Sequence, residues 1–307
     1  MATADFYQFT EQLQSSICRQ VAWSLFSPDL FTHWPSPVVW DDWSKEWLQQ
    51  LDESRWSPDL PKRLGFRFEF FLRRYFADHP QWDLLAHNFQ IQDQGKTLGE
   101  IDFIVRNKIS QEIMHLECAV KFYLAHPSKD LNRTEMDLWI GPNGQDRLDL
   151  KYQRLTEQQT QLSLRPTAIQ QLTKSNIPIP THTGIHGKGI LFLPLTQGSK
   201  NSVKIPPWLN QKVINGHWVD TAMVKNEQFA NSLNLHQWTA LQKGQWLDPF
   251  YRSTSSFSDI SFDAISHSVM LALTEDAIAS DKTFSPRMFV VPEHWPGHKH
   301  DRYEHLS

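Results

Sequence analysis

The middle of this chain is predicted to be an α/β core in the order helix, three strands, helix, strand. Three observations predict it. Residues 98–105 and 115–124 are short apolar runs bounded by turn residues, the pattern of two adjacent strands. Residues 64–76 and 145–162 carry apolar side chains at helical spacing on either side of them. A compact apolar run at 189–195 follows the second helix, and a strand–helix–strand connection sets that last strand parallel to the one before it.

The chain opens with an amphipathic segment, residues 6–20, in which Phe9, Leu13 and Ile17 form one stripe. Trp23, Phe26, Phe31, Trp34, Trp40, Trp43 and Trp47 then arrive among Pro and Asp, so residues 1–62 read as a helical, aromatic-rich cap. Aromatic rings interleaved with polar residues can stack nucleic-acid bases. Basic residues are sparse here and large rings mostly build cores, so packing is the expectation.

Residues 63–196 are the core. In its first helix Glu69 shares a face with Phe66, Leu72 and Phe76. A carboxylate on a face that packs against a sheet needs a partner or a cation. Arg73, four residues on, is the simple partner. Residues 82–91 read as the first strand, and Asp93-Gln94-Gly95-Lys96 as a hairpin turn. On the second strand Glu100, Asp102 and Ile104 share a face; on the third, Glu117, Ala119 and Lys121 do. Pairing these strands brings an aspartate, a glutamate and a lysine together at the end of a sheet. Neighbouring carboxylates repel unless a cation or a proton lies between them. A divalent metal held by oxygens beside a lysine suits phosphodiester cleavage.

In the helix over 145–162, Leu148, Tyr152 and Leu155 form the apolar stripe, and Asp146 and Asp149 suit its positive start. Arg147 and Lys151, offset by four, either follow a phosphate backbone or form a solvated basic face. Residues 178–187 read as a loop rich in Pro, Thr, His and Gly, and 197–207 as a boundary. Residues 197–307 read as an α+β region. It has a short strand at 217–219, helices at 222–233, 235–241 and 262–278, a serine-rich loop at 253–258 and a last strand at 288–291. The tail carries His294, His298, His300 and His305, read as a solvated terminus before a metal site.

Composition narrows the function. A net charge of -4 argues against a protein that coats nucleic acid non-specifically, while leaving room for a local basic surface. Cys118 lies inside an apolar strand and reads as a small buried hydrophobe. No run approaches the ~20 apolar residues that span a bilayer. The first residues lack the basic and apolar segments of a signal peptide, so a cytoplasmic protein without membrane partners is expected. The sequence carries no Walker-type phosphate loop, dinucleotide fingerprint, zinc-ligand spacing or nucleophile elbow.

Gly99-Glu100-Ile101-Asp102, followed by a hydrophobic strand with Glu117 and Lys121, resembles the core of the PD-(D/E)XK nuclease superfamily. The wider pattern adds Leu64-Gly65-Phe66 with Glu69, Trp139-Ile140-Gly141-Pro142-Asn143, and Asp146-Arg147-Leu148-Asp149-Leu150-Lys151. It is similar to one bacterial family of unknown function assigned to that superfamily. The resemblance implies a restriction-endonuclease-like core (α-β-β-β-α-β, a central mixed sheet flanked by helices). It implies a Mg²⁺- or Mn²⁺-dependent phosphodiesterase acting on DNA before RNA. Asp102 and Glu117 would be direct metal ligands and Glu69 a ligand through water or an orienting acid. Lys121 would position or help deprotonate the attacking water.

The pattern departs at one position. The superfamily lysine lies two residues after the acid, where this chain has Ala119, and the lysine is Lys121. Two strand residues span ~6.6 Å and four span ~13 Å, so Lys121 either reaches back, is drawn in by a bulge, or leaves its function elsewhere. The alternative reading is a catalytically degenerate fold that binds nucleic acid or protein. The shifted lysine and the acidic net charge favour it.

Overall fold

A computed structural model describes residues 3–34, 36–126, 138–195, 203, 205–251, 265–274 and 286–297. The expected connection at 127–136, the serine-rich loop at 253–258 and His298, His300 and His305 lie outside the described residues. The chain is α/β. Strands β1 (Trp82–Asp93), β2 (Lys96–Asn107), β3 (Ile113–Ala125), β4 (Trp139–Ile140) and β5 (His182–Pro194) join β6 (Ile214–Asp220), β7 (Trp238–Ala240), β8 (Val269–Leu273) and β9 (Arg287–Val291). They form one mixed nine-stranded sheet in the order β1-β2-β3-β5-β6-β9-β8-β7, with β4 pairing β3. β3, β5, β6 and β9 run parallel to their neighbours in that order, and the remaining pairs are antiparallel.

Helix α1 (Thr3–Glu11), helix α2 (Ser16–Phe26) and helix α3 (Asp42–Gln49) make the aromatic N-terminal part, followed by α4 (Leu64–Asp78). The predicted single segment over 6–20 is two helices. Ser15 caps the second, its hydroxyl accepting the Ile17 and Cys18 amides at 3.1 and 3.3 Å. The aromatics do pack as core: Trp23, Phe26 and Trp56 are buried in one cluster with Phe71, Phe76, Phe103 and Phe122. α4 buries Phe68, Phe71, Leu72, Tyr75 and Phe76, whereas Phe66 is 54% exposed, so the buried stripe is rotated from the one expected. The Gln94-Gly95 turn has both residues at positive φ, +46° and +78°, as a tight hairpin requires.

The opposite face of the sheet is covered by the connection between β3 and β5. Its predicted helix over 145–162 begins later, as α5 (Leu148–Gln153), because Arg147 is still extended and bridges Ile140. It then widens into a π-helix, Arg154–Gln159, closed by the Thr160 amide on the Leu155 carbonyl at 3.0 Å. A further helix, α6 (Pro166–Lys174), packs Ala168 and Leu172 against Ile91, Ile101 and Ile104.

Several elements differ from the sequence reading. β5 begins at His182, inside the stretch read as a loop. Its glycines serve close strand packing: a Cβ on Gly189 would lie 2.1 Å from the Lys121 carbonyl oxygen. Within the helix expected at 262–278, Val269–Leu273 is strand β8, since a five-residue apolar run between β7 and β9 is buried as sheet. Residues 222–233 are two short helices, α7 (Thr221–Lys225) and α8 (Glu227–Ser232), parted at Asn226, which caps the second. Residues 238–240, read as helix, are β7. No helix of the described residues is long and apolar enough to cross a membrane.

Candidate functional site

The site is built where β2 and β3 part. Their ladder runs from Arg106↔Ile113 to Phe103↔Leu116. The next residues in that register are Asp102 and Glu117. Instead of continuing the backbone ladder, the Asp102 carboxylate accepts the Cys118 amide at 2.9 Å. On the other side of Asp102, Asn88 of β1 takes a left-handed φ of +51°. Both neighbours of β2 are therefore irregular at this residue, and irregular strands re-aim side chains.

Glu117 is fully buried on the face covered by α5 and the π-helix. Its Oε1 lies 2.8 Å from His115 Nε2, and His115 Nδ1 lies 2.9 Å from the Ser163 hydroxyl. Its Oε2 accepts the Gln159 amide at 2.6 Å. The Gln159 carbonyl in turn accepts from Lys151 Nζ at 3.2 Å. The π turn carries Gln159 to the sheet, so α5 and β3 are tied through a buried polar chain. His115, Gln159 and Ser163 were missed by the sequence reading. Only His115 left a signal, standing two residues before Glu117 and hence on its strand face.

The acids feel one another. Burial first, then the Glu117 charge and more weakly that of Glu69, raise the Asp102 carboxyl from 3.8 to about 7, with the Cys118 amide working against them. Glu69, half-buried on α4, is raised by burial and then by Glu100 and Glu117. Glu100 is held by the Gln90 amide at 3.3 Å. Arg73, the simple alternative partner for Glu69, has its guanidinium 5.6 Å from the Phe70 ring centroid.

The two lysines divide differently from the expectation. Lys121 is ion-paired to Asp146. Lys151 is lowered by burial and then by Lys121, while Asp102 and Glu117 pull it back up. Lys151 therefore sits in the field of both acids. Arg147 precedes α5 and pairs with Asp149, so it and Lys151 do not line one helical face.

No group of three or more His, Cys, Asp or Glu side chains among the described residues is arranged to hold a metal ion. The donor chemistry still fits a hard cation. Mg²⁺ commonly takes only one or two protein carboxylates and keeps waters. Each oxygen of Glu117 spends one lone pair on His115 or Gln159 and retains another.

Fold and site define an α/β protein with acids gathered, partly buried, at the parting of two central strands. The chain belongs to a family described as a domain of unknown function, DUF1853, whose family model matches residues 19–285. That span contains every residue of the site. No curated protein and no solved structure matches the chain.

Proposed function

We propose that the chain is a divalent-cation-dependent phosphodiesterase of nucleic acid, DNA before RNA, built on a restriction-endonuclease-like core. The observation that carries this reading is the placement of Asp102 and Glu117 side by side where the β2–β3 ladder ends, with the Glu117 charge raising the buried Asp102 carboxyl, a cost that a cation would relieve. The order α4-β1-β2-β3-β4-α5-α6-β5, in which β4 is a two-residue strand and β3 runs parallel to β5, supports it.

Asp102 and Glu117 would hold Mg²⁺ or Mn²⁺, which would supply charge neutralisation at the phosphate and a more acidic water. His115 and Gln159 fix the rotamer of Glu117, so the carboxylate does not have to reorganise. Glu69 and Glu100 add negative charge that orients water at the rim. Lys151 takes the part expected of Lys121. Its ammonium reaches the acids through Gln159, and its lowered proton affinity suits it to accept a proton from water or to steady phosphate charge.

The test is cleavage of supercoiled, linear and single-stranded DNA with Mn²⁺, alongside Asp102→Ala and Glu117→Ala. Activity that survives both substitutions rules the reading out.

A second reading is a binding module on the same fold, without catalysis. The Lys121–Asp146 ion pair and the hydrogen bond that each Glu117 oxygen already makes, to His115 or Gln159, favour it. DNA binding retained with no thermal stabilisation by Mg²⁺, Mn²⁺ or Ca²⁺ selects it.

A further inference from the structure

A cavity of about 250 Å³ opens between the N-terminal helices and β5, and its lining includes Phe26, Ser27, Asp29, Trp40, Lys188 and Lys212. Lys188 lies on the strand face that packs toward α2, because the next residues of that parity, Ile190 and Phe192, join the α2 and α4 core. Glu117 lies on the other face. The cavity is thus separate from the acidic site, and nothing said of it depends on the proposed nuclease activity.

Lys188 is 1% exposed. Its ammonium donates to the Ser27 carbonyl at 2.5 Å and lies 2.8 Å from Asp29 Oδ1. An ammonium has three donors, so one is left over. Asp29 Oδ1 makes no hydrogen bond beyond that ion pair, and two further polar atoms are sealed from solvent with no hydrogen-bond partner in the protein: the Ser27 hydroxyl and the Trp40 indole N–H. Ser27 is itself only 3% exposed. Native proteins rarely leave such groups unpaired, because each gives up its hydration for nothing. Here both belong to residues lining one cavity that also has a buried lysine.

The chemistry of a matching ligand follows. An indole nitrogen only donates, and an ammonium only donates, so the ligand must bring acceptors. Lys188 and Lys212 against Asp29 leave one positive charge in excess, so it should be an anion. Phe26 and Trp40 meet edge to face, with centroids 5.7 Å apart, and supply an apolar wall. We propose that this cavity binds a small organic oxyanion, its carboxylate or phosphate head at Lys188, Ser27 and Trp40 and its apolar body against the aromatic wall.

The test uses the full chain, with thermal melting and titration calorimetry. Phenyl phosphate and benzoate are the probes; inorganic phosphate and the cation benzylamine are the comparisons. Phenyl phosphate or benzoate should raise Tm saturably, inorganic phosphate should bind at least tenfold more weakly, and benzylamine should do nothing. Ser27→Ala removes only a hydroxyl that has no partner in the protein, whereas Trp40→Phe removes the unpartnered indole N–H together with part of a ring packed on Phe6, Phe9 and Phe26. Ser27→Ala should melt at or above the parent temperature and Trp40→Phe somewhat below it through lost packing, and each folded variant should weaken the organic anion at least tenfold. No saturable response to either organic anion, an undiminished response in both variants, or an equal response to benzylamine would overturn the proposal.

Discussion

Lys121 gives its ammonium to Asp146, at the end of the turn that leads into α5, and so spends on a neighbouring loop the charge that the sequence reserved for the acids. Lys151 is tied to Glu117 through Gln159, and in the proposed nuclease it would take the vacated role. On the proposed function, Lys151→Met should lower DNA cleavage by about 10²–10³-fold, the usual worth of one preorganised charge at a reacting phosphate. Lys121→Met should lower it by less than about tenfold, through loosening of the 141–147 turn and not through the chemistry. Equal losses in the two variants would return the assignment to Lys121.

The buried chain Ser163–His115–Glu117–Gln159 makes a stability prediction independent of activity. His115→Leu leaves Glu117 Oε1 and the Ser163 hydroxyl without their partner in a dry environment. The cost should be about 2–3 kcal/mol in urea unfolding, with an unchanged slope. Adding Glu117→Leu should recover part of it, since the orphaned carboxylate is gone while the Gln159 amide and the Ser163 hydroxyl stay without those partners. A double variant as unstable as the single one would mean that the lost packing, and not the orphaned carboxylate, carries the cost.

Much of this arrangement was legible in the residues. The α4 helix, the 82–107 hairpin, the parallel pairing of β3 with β5 and the convergence of Asp102 with Glu117 all follow from local period and one handedness rule, which act within short stretches. What was not legible depends on distant partners. His182–Gly187 looks like a loop until β3 is beside it: Gly187 answers the Phe31 ring, and Gly189, two residues on in the same strand, answers the Lys121 carbonyl. Val269–Leu273 has no period long enough to separate strand from helix, and only its place between β7 and β9 decides. Gln159 reaches Glu117 by a π turn, which no residue pattern announced.

Asp248 shows the same dependence on distance and can be tested directly. Its side chain is fully buried and gathers α2 to the C-terminal half of the chain. Arg19 grips it with two bonds of 2.9 Å, Ser16 donates at 2.7 Å and the Phe250 amide at 3.0 Å. Asp248→Ala should destabilise by about 3–5 kcal/mol, because the Arg19 guanidinium would lose its counter-charge while remaining largely covered. The loss should appear as one cooperative transition at lower urea. A separate early transition of the N-terminal helices would show instead that Asp248 joins two units that unfold apart.

His79 gives the pH dependence. It ends α4, accepts the Gln81 amide on Nδ1 at 2.9 Å, and lies against Trp43 and Tyr75 with centroids 3.9 and 4.7 Å away. Burial, helped by the Lys108 charge and opposed by Asp41, lowers it from 6.5 to about 4. Between those values the unfolded chain takes up a proton that the folded chain refuses, so folding is penalised as pH falls. The stabilisation is whole above about pH 6.5 and is lost as pH drops toward about 4, roughly 2–3 kcal/mol over the window at ~1.4 kcal/mol per pH unit. His79→Gln keeps an acceptor for Gln81 and cannot titrate. Its unfolding free energy should fall less steeply than the parent's between pH 7 and 4, by nearly one proton at mid-window. Parallel curves for the two proteins would mean that His79 protonates as readily in the fold as out of it.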